Sequence, residues 1–234
     1  MNSSLLRFLA VTACIPLAAW ADEIRLNLMD SPDRVGTYYI ADKENSGTVT
    51  GPQQGQILHI DEKGWPIHVG DWAAQDGPGY MVKYFLLFHL PQAEGKKLTR
   101  ATLRLYLTQI RHDATENPLP QALLVHAEDW QDTRWSADSE FHGLQALHFA
   151  DQEAFSNSVP LCGPDSKPGF IDIDVTGMIE SDYRRDPEPV TAFRLEMADH
   201  ETLDSTDGLG NSYNFWGPMP QTQDRLPTLV LSFE

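Results

Sequence analysis

Five aromatic residues set in Gly- and Pro-rich stretches carry the clearest chemistry in this chain: Trp65, Trp72, Tyr80, Tyr213 and Trp216. The apolar faces of sugar rings stack on indole and phenol rings. Loop aromatics beside Asn and Asp side chains therefore suit a carbohydrate cleft. For each of the five, packing into the core is the competing explanation. Trp130 and Trp135 stand five apart and offer a second sugar platform. Core packing at a strand end is the better account of that pair. Asp199, Glu201, Asp204 and Asp207 place four carboxylates, with His200, in nine residues. Oxygen-rich loops of this kind suit Ca2+. The spacing lacks the sixth-position glycine and twelfth-position glutamate of an EF-hand loop, so a solvated acidic loop is the alternative.

Catalytic signatures are sparse. There are eight histidines but no His-Glu-x-x-His, no Gly-x-Ser-x-Gly and no paired cysteine ligands. Two carboxylates brought together by folding can still hydrolyse a glycoside, and Tyr, His and Arg can support a polysaccharide lyase. Catalysis thus stays open as an alternative to binding.

Short strands must position these groups. Residues 170–175 alternate, with Ile171, Ile173 and Val175 on one side and Asp172 and Asp174 on the other. Period two over a short run marks a half-buried strand. A short helical turn follows at 176–183, opening on Thr176 and closing near Tyr183. The Thr176 hydroxyl suits an N-cap, and Pro187 and Pro189 end the turn. Strand 190–197 comes next, and its Arg194 and Glu196 are expected to face Asp172 and Asp174.

The most apolar segment is 80–90. Val82, Tyr84, Leu86 and Phe88 share one face, and Phe85 and Leu87 share the other. A strand apolar on both faces is central and covered on both sides. Residues 98–110 alternate most cleanly, with Leu103, Leu105 and Leu107 inward and Thr102, Arg104, Tyr106 and Thr108 outward. The short link 91–95 predicts that these two strands are antiparallel neighbours. Shorter runs at 22–29, 38–41, 57–60, 67–69, 123–127, 213–216 and 228–233 complete the set. Residues 131–166 show no strong period beyond one candidate helical turn at 144–149. About ten short strands separated by turn residues predict an all-β, single-domain jelly-roll β-sandwich.

Residues 1–21 have the form of a signal peptide. Arg7 sits in a polar start, 8–18 is apolar, and Ala19, Trp20 and Ala21 make a small-x-small cleavage site. The apolar core is too short to span a bilayer, and no transmembrane segment follows. Residues 22–234 are then the exported domain, periplasmic or extracellular. The alternative is a lipoprotein box ending at Cys14. The apolar run continuing through Ile15, Leu17 and Trp20 favours the soluble product. Cleavage leaves Cys162 without an internal disulfide partner. The net charge of −17 excludes a nucleic-acid surface and argues against docking on anionic lipid. It accords with cation binding and with solubility outside the cytoplasm.

Six segments occur in a familiar order: YFLLFHLP at 84–91, LTRATLRLY at 98–106, LVHAEDW at 124–130 with Trp135, IDIDVT at 171–176 with Ile179, FRL at 193–195 and LPTLVL at 226–231. Together they resemble the DNRLRE domain, grouped with carbohydrate-binding module family 96, over roughly residues 57–233. The resemblance implies a jelly roll, export and non-catalytic binding to polysaccharide or cell-surface glycan. The chain departs from the family where Asn214, Phe215, Trp216 and Gly217 replace its usual Ser-Arg-Glu-like run. Two other functions compete. One is an envelope structural or adhesion protein that binds another protein, which would show an exposed apolar patch. The other is a polysaccharide-degrading enzyme.

Overall fold

The computed structural model describes residues 22–28, 36–42, 55–60, 67–73, 79–112, 118–126, 158–185, 189–198, 210–217 and 223–234. At 36–42, 55–60, 71–73, 79–83, 85, 87 and 223 it describes the backbone alone. Twelve strands appear among these residues: β1 (Asp22–Asn27), β2 (Gly36–Asp42), β3 (Gly55–Ile60), β4 (Ile67–Ala73), β5 (Gly79–His89), β6 (Leu98–Arg111), β7 (Ala122–His126), β8 (Ser158–Cys162), β9 (Gly169–Asp174), β10 (Val190–Met197), β11 (Ser212–Phe215) and β12 (Thr228–Phe233). Helix α1 (Thr176–Arg185) joins β9 to β10, and a short 3-10 helix (Gln223–Arg225) precedes β12. No helix among the described residues is long and apolar enough to cross a membrane.

All pairings are antiparallel, in the order β1-β12-β6-β11-β4-β5-β10-β7-β8. β9 flanks β6, and β2 flanks β5 with β3 beyond it. The sheet curls, so that β6 with β12, β1 and β9 makes one wall and β5 with β10 and β7 makes the other. Leu103, Leu105, Leu107, Ile173, Leu229 and Leu231 from the first wall belong to one buried cluster with Tyr84, Leu86, Phe88, Leu124, Phe193 and Leu195 from the second. Burying each such side chain contributes about 1.5–3 kcal/mol, which gives the curl its driving force. The result is the all-β sandwich expected from the alternation.

β11 and β4 turn the corner between the walls and approach each other closely at Gly70, paired with Ser212. Gly70 has φ 138°, and a Cβ there would collide with the Asn211 carbonyl oxygen. Only glycine meets both demands.

Helix α1 closes one end of the sandwich. Ile179 and Asp182 are buried on it, and Met178 and Tyr183 pack against the core. The Tyr183 hydroxyl donates to the Pro91 carbonyl at 2.8 Å, and its ring meets Phe233 edge-on with centroids 6.3 Å apart. His126 Nε2–H on β7 donates to Asp182 Oδ2 at 2.9 Å, with both groups buried. The helix therefore touches both walls.

The structure corrects several local expectations. The helical turn is a ten-residue helix extending two residues past Tyr183 to Arg185. Thr176 does not cap it. Its hydroxyl accepts from Ala101 N–H at 2.9 Å and donates to Asp174 Oδ1 at 2.6 Å, while that carboxylate accepts the Thr176 N–H at 3.0 Å. The hydroxyl is spent tying the helix to β6. The strands 80–90 and 98–110 are not neighbours, because the link between them crosses from one wall to the other. Leu90 N–H donates to the Pro189 carbonyl in that link. β6 pairs with β12, β9 and β11 instead.

Asp172 and Asp174 do not face Arg194 and Glu196. Helix α1 carries the chain to the other wall, where Arg194 and Glu196 form a buried pair at 2.9 Å. Asp172 lies opposite Arg104 instead. β8 arises inside the stretch that showed no period, because Pro160 and the short run hide its alternation. The candidate helical turn at 144–149 lies outside the described residues.

Candidate functional site

Pairing on the first wall arranges the outward residues in rows. Tyr106 on β6 stands opposite Phe170 on β9, and the next row is Thr228, Arg104 and Asp172. Beyond it lie Arg25, Val230, Thr102 and Asp174, and then Glu23, Ser232 and Arg100. The inward residues of these same strands, leucines and isoleucines with Ala101, belong to the core or pack against it. Strand alternation alone thus builds a polar outer face with aromatic rings at one end.

The aromatic end is continuous. Phe170 and Tyr106 meet edge-on with centroids 5.0 Å apart. Arg104 lies over the Phe170 ring at 5.4 Å. It is held there by two 2.7 Å hydrogen bonds to Asp172. Those bonds are the main cause that keeps the Asp172 carboxyl below its ordinary pKa. Trp216 follows β11, and its backbone N–H donates to the Tyr106 carbonyl at 2.8 Å. Arg225, ending the 3-10 helix, lies over the Tyr106 ring at 4.6 Å and the Trp216 ring at 5.6 Å. Phe170 is 51% exposed, the one exposed large hydrophobic side chain among the described residues. Beside this cluster the Thr108 hydroxyl donates to the Asn214 carbonyl at 2.8 Å, and His68 Nδ1–H donates to Asn214 Oδ1 at 2.7 Å.

Rings of this kind offer flat apolar surface, and guanidinium groups offer planar arrays of N–H donors. That combination suits a hydroxyl-rich ligand with an apolar ring face. The two nearest arginines differ in their freedom. Arg104 is committed to Asp172, whereas Arg225 is held by ring contacts.

The sequence candidates have separate fates. Trp216 is half-buried in the aromatic cluster. Tyr213 is fully buried, and its hydroxyl donates to the Pro120 carbonyl at 2.8 Å. Burial is the main cause that pushes its phenol pKa up. It belongs to the core, with no ring face open to a ligand. Trp72 and Tyr80 are register partners across β4 and β5, described in backbone only. Trp65, Trp130 and Trp135 lie outside the described residues, as do the Ca2+ candidates Asp199, Glu201, Asp204 and Asp207. Among the described residues no three His, Cys, Asp or Glu side chains group to hold a metal ion.

Tyr106, Phe170, Arg104 and Arg225 were missed as site residues. Alternation places Tyr106 outward, and an aromatic among outward Thr and Arg is the available signal. Phe170 gave the same signal at the start of its strand. Arg225 gave none, since only folding brings it over the Tyr106 ring, distant in sequence. Cys162 is buried, and burial pushes its thiol pKa up to about 12. It is therefore no nucleophile at neutral pH.

No family model matches the chain, and no curated protein matches it.

Proposed function

We propose that this chain is an exported, non-catalytic binding protein that recognises polysaccharide or cell-surface glycan. The observation that carries this is the row of Phe170, Tyr106 and Trp216 on the outer wall, interleaved with Arg104 and Arg225. A protein-docking surface would present a broader apolar patch. Among the described residues a single exposed phenylalanine sits among arginines, threonines and aspartates, which favours a sugar ligand over an envelope protein. Export, the DNRLRE-like character and its jelly-roll connectivity belong to the same proposal, resting on the leader and the six ordered segments.

The test is retention on a broad panel of immobilised polysaccharides. The wild-type chain is expected to bind at least one of them. Phe170→Ala and Trp216→Ala should each weaken that binding roughly five- to tenfold, since one aromatic contact is worth about 1 kcal/mol. Unchanged affinity in both variants, with folding intact by circular dichroism, would remove the outer wall as the site. No retention on any polysaccharide would remove the function.

A further inference from the structure

Arg225 lies over two ring faces that a sugar would need. Its guanidinium carbon is 4.6 Å from the Tyr106 centroid and 5.6 Å from that of Trp216. Arg104, by contrast, is fixed by its two-point bond to Asp172. Among the described residues Arg225 makes no ion pair and no hydrogen bond. Its hold on the platform is the attraction of a cation for the two π-faces. It can therefore leave without stranding a carboxylate, and while it stays the rings are covered.

We propose that Arg225 is the specificity-determining residue of this face, occupying the Tyr106–Trp216 platform in the free protein until a stacking ligand displaces it. The assignment rests on the glycan-binding reading above. A neutral sugar must take the place of a cation on both rings, and it brings no charge to retain the displaced guanidinium. Neutral sugars thus bind the wild-type chain more weakly than they bind a chain with the platform cleared. The difference is roughly tenfold, the size of a partly exposed cation–π contact.

The experiment is calorimetric titration of the wild-type, Arg225→Ala and Arg225→Gln chains with neutral cello-, xylo- and manno-oligosaccharides. Both variants should bind roughly tenfold more tightly than wild type. Adding Trp216→Ala to Arg225→Ala should erase the gain, because the two residues act on one surface. In the free wild-type protein the Arg225 side-chain protons should show an upfield ring-current shift by NMR, reduced in Trp216→Ala, where the Tyr106 ring remains. Wild-type binding with equal or weaker binding by both Arg225 variants would overturn the assignment while leaving the glycan reading intact, and so would a missing ring-current shift. Failure of all three chains to bind any sugar, here and on the polysaccharide panel, would bring down the glycan reading and the assignment with it.

Discussion

Tyr213 and Trp216 lie three positions apart and looked equivalent as sugar platforms, yet they do different work. Tyr213 sits on β11 with its ring in the core and its hydroxyl bonded to Pro120. Trp216 has left the strand and joins Tyr106 and Arg225 on the outer wall. Substitution separates the two roles. Tyr213→Phe keeps the ring and deletes one hydrogen bond, so it should cost about 1 kcal/mol of stability. It should leave binding to any retained polysaccharide unchanged. Urea unfolding alongside an affinity measurement checks both halves. A loss of affinity with no loss of stability would mean that Tyr213 reaches the ligand after all.

At the scale of elements, α1 is the joint that brings the two walls together at one end. Its attachment to β7 is the His126–Asp182 contact, buried at both ends. Removing one partner of a buried pair leaves the other desolvated without its counterpart. Asp182→Ala should therefore cost about 3 kcal/mol. Asp182→Asn keeps an oxygen acceptor for Nε2–H and should cost less. Chemical denaturation of the three proteins decides, and an Asp182→Ala loss below about 0.5 kcal/mol, the size of an exposed pair, would show that the joint lies elsewhere. The same helix explains why β9 and β10 do not pair. A ten-residue helix carries the chain about 15 Å at 1.5 Å per residue, enough to pass from one wall to the other.

For the whole molecule, the buried ionisable groups set the alkaline limit. Burial pushes the Cys162 thiol from 9.0 up to about 12 and the Tyr183 phenol from 10.0 up to about 12. Tyr213 is raised as well, by burial first. The folded chain keeps protons that the unfolded chain releases. Stability is therefore fully present below pH 9.0 and falls as pH rises toward 12. Thermal melts should be flat from about pH 7 to 9 and drop steadily above that range, and Cys162→Ala should remove the earliest part of the drop. A melting temperature unchanged up to pH 11 would contradict the burial of these groups. On the acid side, Asp172 and Asp174 have lowered values, chiefly from the Arg104 and Thr176 side-chain bonds. Their contribution is present above the ordinary carboxylate range and lost as pH falls through the folded values. It is small, because Arg104 and Asp172 are 38% and 44% exposed.

Much of the fold was legible in single strands. The alternation in β6 and β9 assigned inward and outward sides that the structure keeps, because a side-chain period of two follows from backbone geometry alone, whereas β10 is buried on both faces with Arg194 and Glu196 inside. Tyr106 was outward on that ground before any neighbour was known. Partners were not legible in the same way. Asp172 could oppose any cation brought beside β9, and it opposes Arg104 because β9 pairs with β6 rather than with β10. Arg225 over Tyr106 and Trp216 is likewise a product of pairing, since β12 and β11 both pair with β6 and so bring Arg225 and Trp216 beside Tyr106. Local periodicity therefore determined most strands and the faces of β6 and β9, while the pairing of strands from separate parts of the chain, driven by burial of a shared core, decided which side chains met on the outer wall.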